Sequence, residues 1–447
     1  MCWRGEVLVL TLKKFLFILI AGSTLVRLMI WSLIGKCTAL APDEEGYFQL
    51  FRYVNNTATT RPTLYWPSVP KWHLELIFIP AKFLDLLGFS EFQAFRLQSI
   101  VVFFSLVAVT IFSVKNLGFQ KRFQSLNQRN KNLLFLFVTI AFFMPSNIIW
   151  TILGLREPFI HFSLGLILIS FSLYFNSKTT LSSWLIVYVF GLFMLGSTKF
   201  YLLVIFLFSL LMSFYWLLKA QNRKKLLILF LSTSLCFPIF SDKFNAVNWP
   251  TFSFSTIKLS LDLLPNYEAL TLPSMTFSQI RQCQDAGTAG PLLSSAVSLF
   301  TTLSPQRTET AEAQVPIDAP SVLALRSDEN LRGDLNLLNL PVGVFSFLVF
   351  PISILDSSLF GLFGLMESIL WLPLYALLGI QVARSRRSIR ENPLLIVSLV
   401  FISVFIGFSA LTEVNFGTAI RHRSVLLVPM VLAALSIWRN KPSKRDF

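Results

Sequence analysis

Long apolar runs separated by short segments rich in lysine and arginine constrain this chain more than any other feature. A helix that crosses a bilayer needs about 20 mostly apolar residues. Ten stretches read as such helices, at roughly 15–34, 96–114, 133–150, 158–175, 184–198, 200–218, 226–241, 359–382, 394–411 and 424–438. The first is too long for a cleaved signal peptide, and no small-residue cleavage site follows it. Charged residues make up 14% of the chain and phenylalanine occurs 46 times, whereas a soluble domain carries about 25% charged residues. A cytosolic enzyme is therefore excluded, and the expected fold is an all-α polytopic membrane protein.

The formal net charge of +15 would suit a nucleic-acid binder, but the placement of the charges argues otherwise. Ten spans put both termini on one side, together with residues 115–132, 176–183, 219–225 and 383–393. With residues 1–14 and 439–447, these segments hold 21 Lys and Arg against only Glu6, Glu391 and Asp446. The remainder of the chain holds 17 basic and 20 acidic residues. This asymmetry follows the positive-inside rule, so the basic excess marks topology rather than a nucleic-acid surface. The reading is a multi-pass protein of the inner (plasma) membrane with both termini cytoplasmic.

The same register organises the chain. Residues 1–241 form an N-terminal membrane module whose first outer loop spans 35–95, and 359–447 form a C-terminal module. Between them lies a large outer loop, 242–340, rich in Ser, Thr and Pro. Residues 341–358 begin apolar but are short and interrupted by Pro351. They read as a re-entrant or interfacial segment, since an eleventh span would carry the Arg384–Arg390 cluster outside. No internal repeat is evident. Cys37 and Cys283 both fall on the outer, oxidising side, where a disulfide is chemically permitted. His73, His161 and His422 have no zinc-ligand spacing.

Four polar groups fall on the outer side. Pro42-Asp43-Glu44-Glu45-Gly46-Tyr47 opens an amphipathic helix with Tyr47, Leu50, Phe51 and Val54 on one face, a spacing suited to the membrane surface. Asp43 also serves as an N-cap, and acids in a first turn favour the helix dipole. Gly154-Leu155-Arg156-Glu157-Pro158 is a tight turn between two apolar helices. Lys199 stands alone between residues 179 and 218, where a snorkelling role is the plainest. In the run Glu413-Val414-Asn415-Phe416-Gly417-Thr418-Ala419-Ile420-Arg421-His422-Arg423, outer arginines run against the charge bias. Arginine forks match phosphate oxygens, and glycine lets backbone N–H groups approach a ligand. Arg27 and Glu367 are charges inside spans, which mark functional positions by default; Arg27 also reads as snorkelling outward.

An outer face has no access to cytosolic nucleotide sugars or ATP, so an activated substrate there arrives attached to lipid. A polyprenyl phosphate would set its tail among phenylalanine-rich helices and its phosphate against the arginines. On Asp43-Glu44 with Tyr47 soon after the first span, the chain resembles the membrane-embedded glycosyltransferases of the GT-C class. These include the protein O-mannosyltransferase and aminoarabinose-transferase types and bacterial relatives in polysaccharide biosynthesis. The layout of a surface helix in the first outer loop, closely spaced helix pairs and a late large outer loop is similar too. So are the Leu155-Arg156-Glu157 turn and the Asn415-Phe416-Gly417-Thr418 and Arg421-His422-Arg423 runs.

The resemblance implies inverting transfer from a polyprenyl-phosphate-sugar donor to a glycan, lipid or protein acceptor in cell-envelope synthesis. It makes Asp43 the general base and gives Glu44 a share in orienting the acceptor or holding a divalent cation such as Mg or Mn. Tyr47, Arg156, Glu157, Lys199, Asn415, Arg421, His422 and Arg423 become the substrate-binding set, with the cations neutralising the lipid-phosphate leaving group. Two alternatives stay open. An O-antigen-type polymerase or ligase would depend more on the arginines and His422 than on the acids. A transporter of lipid-linked substrates would be expected to show repeats and broken spans at mid-membrane.

Overall fold

In the computed structural model, the described residues are 12–33, 42–58, 71–117, 119–178, 180–218, 223–244, 340–349, 359–385, 389, 392–412 and 421–438. Every regular element among them is helical. In chain order these are α1 (Leu12–Leu33), α2 (Pro42–Val54), α3 (Lys71–Ile77), α4 (Ile79–Leu86), α5 (Glu91–Asn116), α6 (Phe119–Ser125), α7 (Gln128–Phe142) and α8 (Pro145–Ile152). They continue with α9 (Glu157–Asn176), α10 (Ser183–Thr198), α11 (Phe200–Leu218), α12 (Arg223–Phe244), α13 (Leu340–Val349), α14 (Leu359–Arg384), α15 (Pro393–Thr412) and α16 (Leu427–Ile437). A short 3₁₀ turn, Ser424–Leu426, leads into α16.

Among the described residues, five helices are long and apolar enough to cross a membrane, and α7 with α8 adds a sixth if the bent pair is one span. Phe17, Met29, Phe83, Ile186, Met212 and Leu235 are among many large apolar side chains left on the surface. A water-soluble surface does not carry so many, whereas lipid would cover them without cost. The architecture is that of a multi-pass membrane protein.

At the centre is α9, which is buried on nearly every side, as a helix apolar all round must be. It packs against α5, α10, α12, α15 and α16. Gly191 lets α10 come close: a Cβ there would sit 2.9 Å from Ile167 Cγ1 and 3.2 Å from its backbone nitrogen. Such small residues are how membrane helices approach one another. As a 20-residue helix, α9 separates its two ends by about 30 Å. Glu157 lies at one end. At the other, Lys225 donates to Ser177 Oγ at 3.0 Å and to the Ser177 carbonyl.

The predicted straight span at 133–150 is instead broken. Helices α7 and α8 meet at 40°, because Pro145 at the start of α8 holds Met144 extended (φ −55°, ψ 126°) and stops α7. Two charged side chains close the break. The guanidinium of Arg27 donates from Nη2 to the carbonyls of Phe142 (3.4 Å) and Asn147 (3.5 Å), and from Nε to Thr151 Oγ1 at 2.7 Å. It also donates to Ser23 Oγ and lies 4.0 Å over the Phe103 ring. On the other side, the Ser146 N–H donates to Glu367 Oε2 at 2.9 Å, while Ser146 Oγ (2.5 Å) and Trp371 Nε1 (2.9 Å) donate to Oε1. A cation therefore meets the carbonyl end of α7 and an anion meets the N–H end of α8, as the two helix dipoles require. Fully buried, Arg27 does not snorkel: the intramembrane charges satisfy an opened backbone.

The helix expected at the start of the first outer loop is present as α2, with Pro42 at its first position. Its apolar face is not laid on a membrane surface. Tyr47, Leu50, Phe51 and Val54 are buried in a second core with Leu74, Phe78, Phe95, Leu155 and Phe159. Protein aromatic rings, Phe78 and Phe95 among them, fill the role given to lipid, with Phe51 5.5 Å from Phe78. In the segment read as re-entrant, α13 packs on α15 and α14, with Phe347 edge-on to Phe405 at 6.3 Å; residues 350–358, including Pro351, lie outside the described set. Residues 245–339, most of the expected large outer loop, are outside it too, as are Cys37 and Cys283.

Candidate functional site

The site is built where three separate turns meet at the Glu157 end of the bundle. The first is the α8–α9 turn. Gly154 takes φ +57°, and a Cβ there would lie 2.3 Å from the Phe95 ring, so only glycine fits both the left-handed backbone and the space. That turn delivers Arg156 and then Glu157, with Pro158 inside the first turn of α9. Glu157 is fully buried.

The second turn joins α10 to α11 at Lys199, which is buried and does not snorkel. The third leads into α16 and carries Arg421 and His422. Arg421 donates from Nε (2.5 Å) and Nη2 (3.1 Å) to the two oxygens of Glu157, a bidentate pair. Its guanidinium also lies 6.0 Å over the Trp150 ring. Lys199 Nζ is 2.6 Å from His422 Nε2. An ammonium has no acceptor, so Lys199 donates and Nε2 carries no proton. Tyr201 Oη is 3.3 Å from Lys199 Nζ and 3.2 Å from the same His422 nitrogen, and its ring stacks on Phe408 at 5.8 Å. Desolvation, then the charges of Lys199, Arg421 and Arg156, hold the His422 imidazole well below its ordinary pKa of 6.5.

Arg156 links this cluster to α2. Its guanidinium lies 5.7 Å from the Tyr47 ring centroid, and its buried Nε–H has no hydrogen-bond partner among the described residues. Tyr47, Arg156, Glu157, Lys199, Arg421 and His422, scattered through the sequence, are thus brought together. The arrangement is a low-dielectric cluster of three cations around one carboxylate and one neutral imidazole, chemistry suited to anionic oxygen.

Of the other expected residues, Arg423 and Glu44 are described and stand apart from this cluster. Arg423 is directed away from Glu157, with Nη1 3.4 Å from Ser368 Oγ and 3.5 Å from the Leu348 carbonyl. Asn415 and the side chain of Asp43 lie outside the described residues. Glu44 is fully buried and accepts from Arg96 Nε at 2.6 Å and Nη2 at 3.0 Å. Both its oxygens are committed to that fork, and Arg96 in turn lies 4.3 Å from the Phe92 ring centroid. An orienting role toward an acceptor, or a shared cation with Asp43, does not suit a carboxylate so held. Among the described residues no group of three or more His, Cys, Asp or Glu is placed to hold a metal ion.

Arg96, Trp150 and Tyr201 were not legible as site residues. Arg96 had a signal: a cation at the edge of an apolar span needs an acid, and Glu44 is one. Comparison with protein-family models, curated proteins and solved structures finds no match. The functional reading therefore rests on the residues themselves.

Proposed function

We propose that this chain is a membrane-embedded glycosyltransferase of GT-C-like architecture, with about ten spans and the Glu157 end of the bundle facing outward. It would transfer a sugar from a polyprenyl-phosphate-linked donor to an acceptor hydroxyl. The observation that carries the reading is the convergence of Arg156, Lys199 and Arg421 beside α2, the helix that bears Asp43. Asp43 takes the acceptor proton, and the oxygen attacks the anomeric carbon from the face opposite the phosphate. The bond from that carbon to the phosphate oxygen breaks, and the electron pair leaves on the lipid phosphate. The three cations favour this step because they lower the energy of charge that grows as the bond breaks.

Glu44 supports α2 through Arg96 and takes no part in proton transfer. The test is transfer by purified protein supplied with a polyprenyl-phosphate sugar. Asp43→Asn should abolish turnover yet keep donor binding. Arg421→Lys should weaken donor binding roughly ten- to a hundredfold, since losing a charge-assisted contact costs about 1.5–3 kcal/mol. Full turnover in Asp43→Asn would refute the acidic base.

A second reading, a polymerase or ligase joining lipid-linked saccharides, is favoured by one observation. His422, its Nε2 beside Lys199 and Tyr201, puts a histidine rather than an acid among the cations of the cluster. Loss of activity in His422→Gln alongside full activity in Asp43→Asn would select it.

A further inference from the structure

Arg96, Arg421 and Arg423 each turn a guanidinium edge into protein, and they differ in one respect. Arg96 and Arg421 each direct the Nε–Nη2 edge onto a carboxylate, Glu44 and Glu157 respectively. Arg423 is held instead by Nη1, on Ser368 Oγ and the Leu348 carbonyl. Its Nε–H and Nη2–H groups are buried and have no hydrogen-bond partner among the described residues. The nearby acid does not serve them: Glu367 is already engaged by Ser146 and Trp371.

A second observation lies on α14. Glu367, Trp371 and Tyr375 follow one another at four-residue spacing and so share a face. Trp371 stacks on Tyr375 with ring centroids 5.3 Å apart, which fixes the direction of the phenol. The Tyr375 hydroxyl is buried and has no hydrogen-bond partner among the described residues. It lies about two helical turns along α14 from Ser368, and so on the same face as the hydroxyl that meets Arg423 Nη1. An unmatched donor in a dry interior costs about 1–3 kcal/mol, so the unmatched Arg423 edge, with the Tyr375 hydroxyl on the α14 helix that Arg423 meets through Ser368, points to an occupant.

We propose that the Nε–Nη2 edge of Arg423 and the hydroxyl of Tyr375 form an oxyanion-binding subsite inside the bundle, distinct from the Glu157 cluster, that takes a phosphate group. The arginine edge supplies two parallel donors, which match two oxygens of one anion. The phenol supplies a third from another element. Three donors from two directions suit the tetrahedral oxygens of a phosphate better than the two coplanar oxygens of a carboxylate. The phosphate is carried either on a lipid headgroup or free in solution. The subsite does not depend on the transfer reaction, because none of its groups takes part in that scheme.

The test uses the full chain purified in detergent and titrated with inorganic phosphate, with acetate as the carboxylate control. A parallel titration places the chain in phosphatidylcholine nanodiscs with and without phosphatidic acid. Tyr375→Phe removes a hydroxyl with no protein partner among the described residues, so the variant is expected to fold. Its dissociation constant for phosphate or phosphatidic acid should rise about two- to tenfold, the effect of one neutral hydrogen bond. Arg423→Lys keeps the charge but loses the fork and should raise it at least about tenfold. A response to inorganic phosphate identifies an unesterified phosphate as sufficient, and a response to phosphatidic acid alone identifies a lipid-borne one. Unchanged affinity in Tyr375→Phe for both ligands overturns the subsite, as does acetate binding as well as phosphate. Loss of transfer with Arg421→Lys, which concerns the other cluster, would leave this outcome untouched.

Discussion

Arg421 grips Glu157 through Nε and Nη2 at 2.5 and 3.1 Å, tying the turn before α16 to the first residue of the central helix α9. The pair holds the candidate site together: Lys199 and His422 are neighbours because the chain segment bearing His422 is anchored one residue earlier. Breaking a buried pair by removing one partner typically costs about 3–5 kcal/mol, since the other charge is left unpaired. Glu157→Gln should lower unfolding stability in detergent by that order. A double-mutant cycle with Arg421→Gln should show a coupling of at least about 1 kcal/mol. Additive losses would mean that the contact carries no coupling.

Neighbouring acids on α2 should respond in opposite ways. Glu44→Gln leaves Arg96 buried without its counter-ion and should destabilise the protein by about 3 kcal/mol or more. Asp43→Asn removes an acid from the first turn of α2, an effect of about 1 kcal/mol or less on the helix dipole. Thermal unfolding of the two variants side by side distinguishes support from chemistry. An unstable Asp43→Asn with a stable Glu44→Gln would reverse the assignment.

Gly154→Ala should be more costly than most loop substitutions. Its φ of +57° is strained for alanine, and the new methyl would displace Phe95 from 2.3 Å. Strain of about 1–3 kcal/mol is expected from the backbone, with overpacking in addition. Because the turn carries Arg156, donor affinity should fall together with melting temperature. Unchanged values of both would show that the turn relaxes freely.

The pH dependence of stability should carry a contribution from His422, whose folded pKa lies well below 6.5. Above the unfolded value both states are neutral, and the full stability is present. As pH falls below about 6.5, the unfolded chain takes up a proton that the folded state refuses, so stability is lost at up to about 1.4 kcal/mol per pH unit. His422→Gln should flatten this part of the curve. Parallel melting curves for wild type and variant between about pH 7 and 5 would refute a depressed histidine.

Orientation is tested by single-cysteine labelling in intact cells, with Ser304 in the expected outer loop and Ser388 in a basic loop. An impermeant thiol reagent should label Ser304→Cys and spare Ser388→Cys. The reverse pattern would invert the bundle and place the Glu157 cluster in the cytoplasm.

The sequence by itself determined the long apolar helices. Apolar runs near 20 residues and a 3.6-residue period act locally, so α1, α5, α9, α14 and α15 were legible, and so was the apolar face of α2 at Tyr47, Leu50, Phe51 and Val54. The bend at Pro145 also had a local cause, in the extended backbone that proline imposes on Met144. Only the tertiary structure decided what those elements meet. Whether the face of α2 rests on lipid or on Phe78 and Phe95 depends on α4 and α5 lying beside it, since both surroundings are apolar and hydropathy cannot distinguish them. Charges show the same limit more sharply. Arg27, Arg96, Arg421 and Arg423 are alike in sequence, each a cation beside an apolar run, yet one closes a helix break, two grip carboxylates and one keeps a guanidinium edge without a protein partner among the described residues. A guanidinium's role is set by which acceptor lies within about 3 Å of its fork, and that neighbour comes from a distant part of the chain.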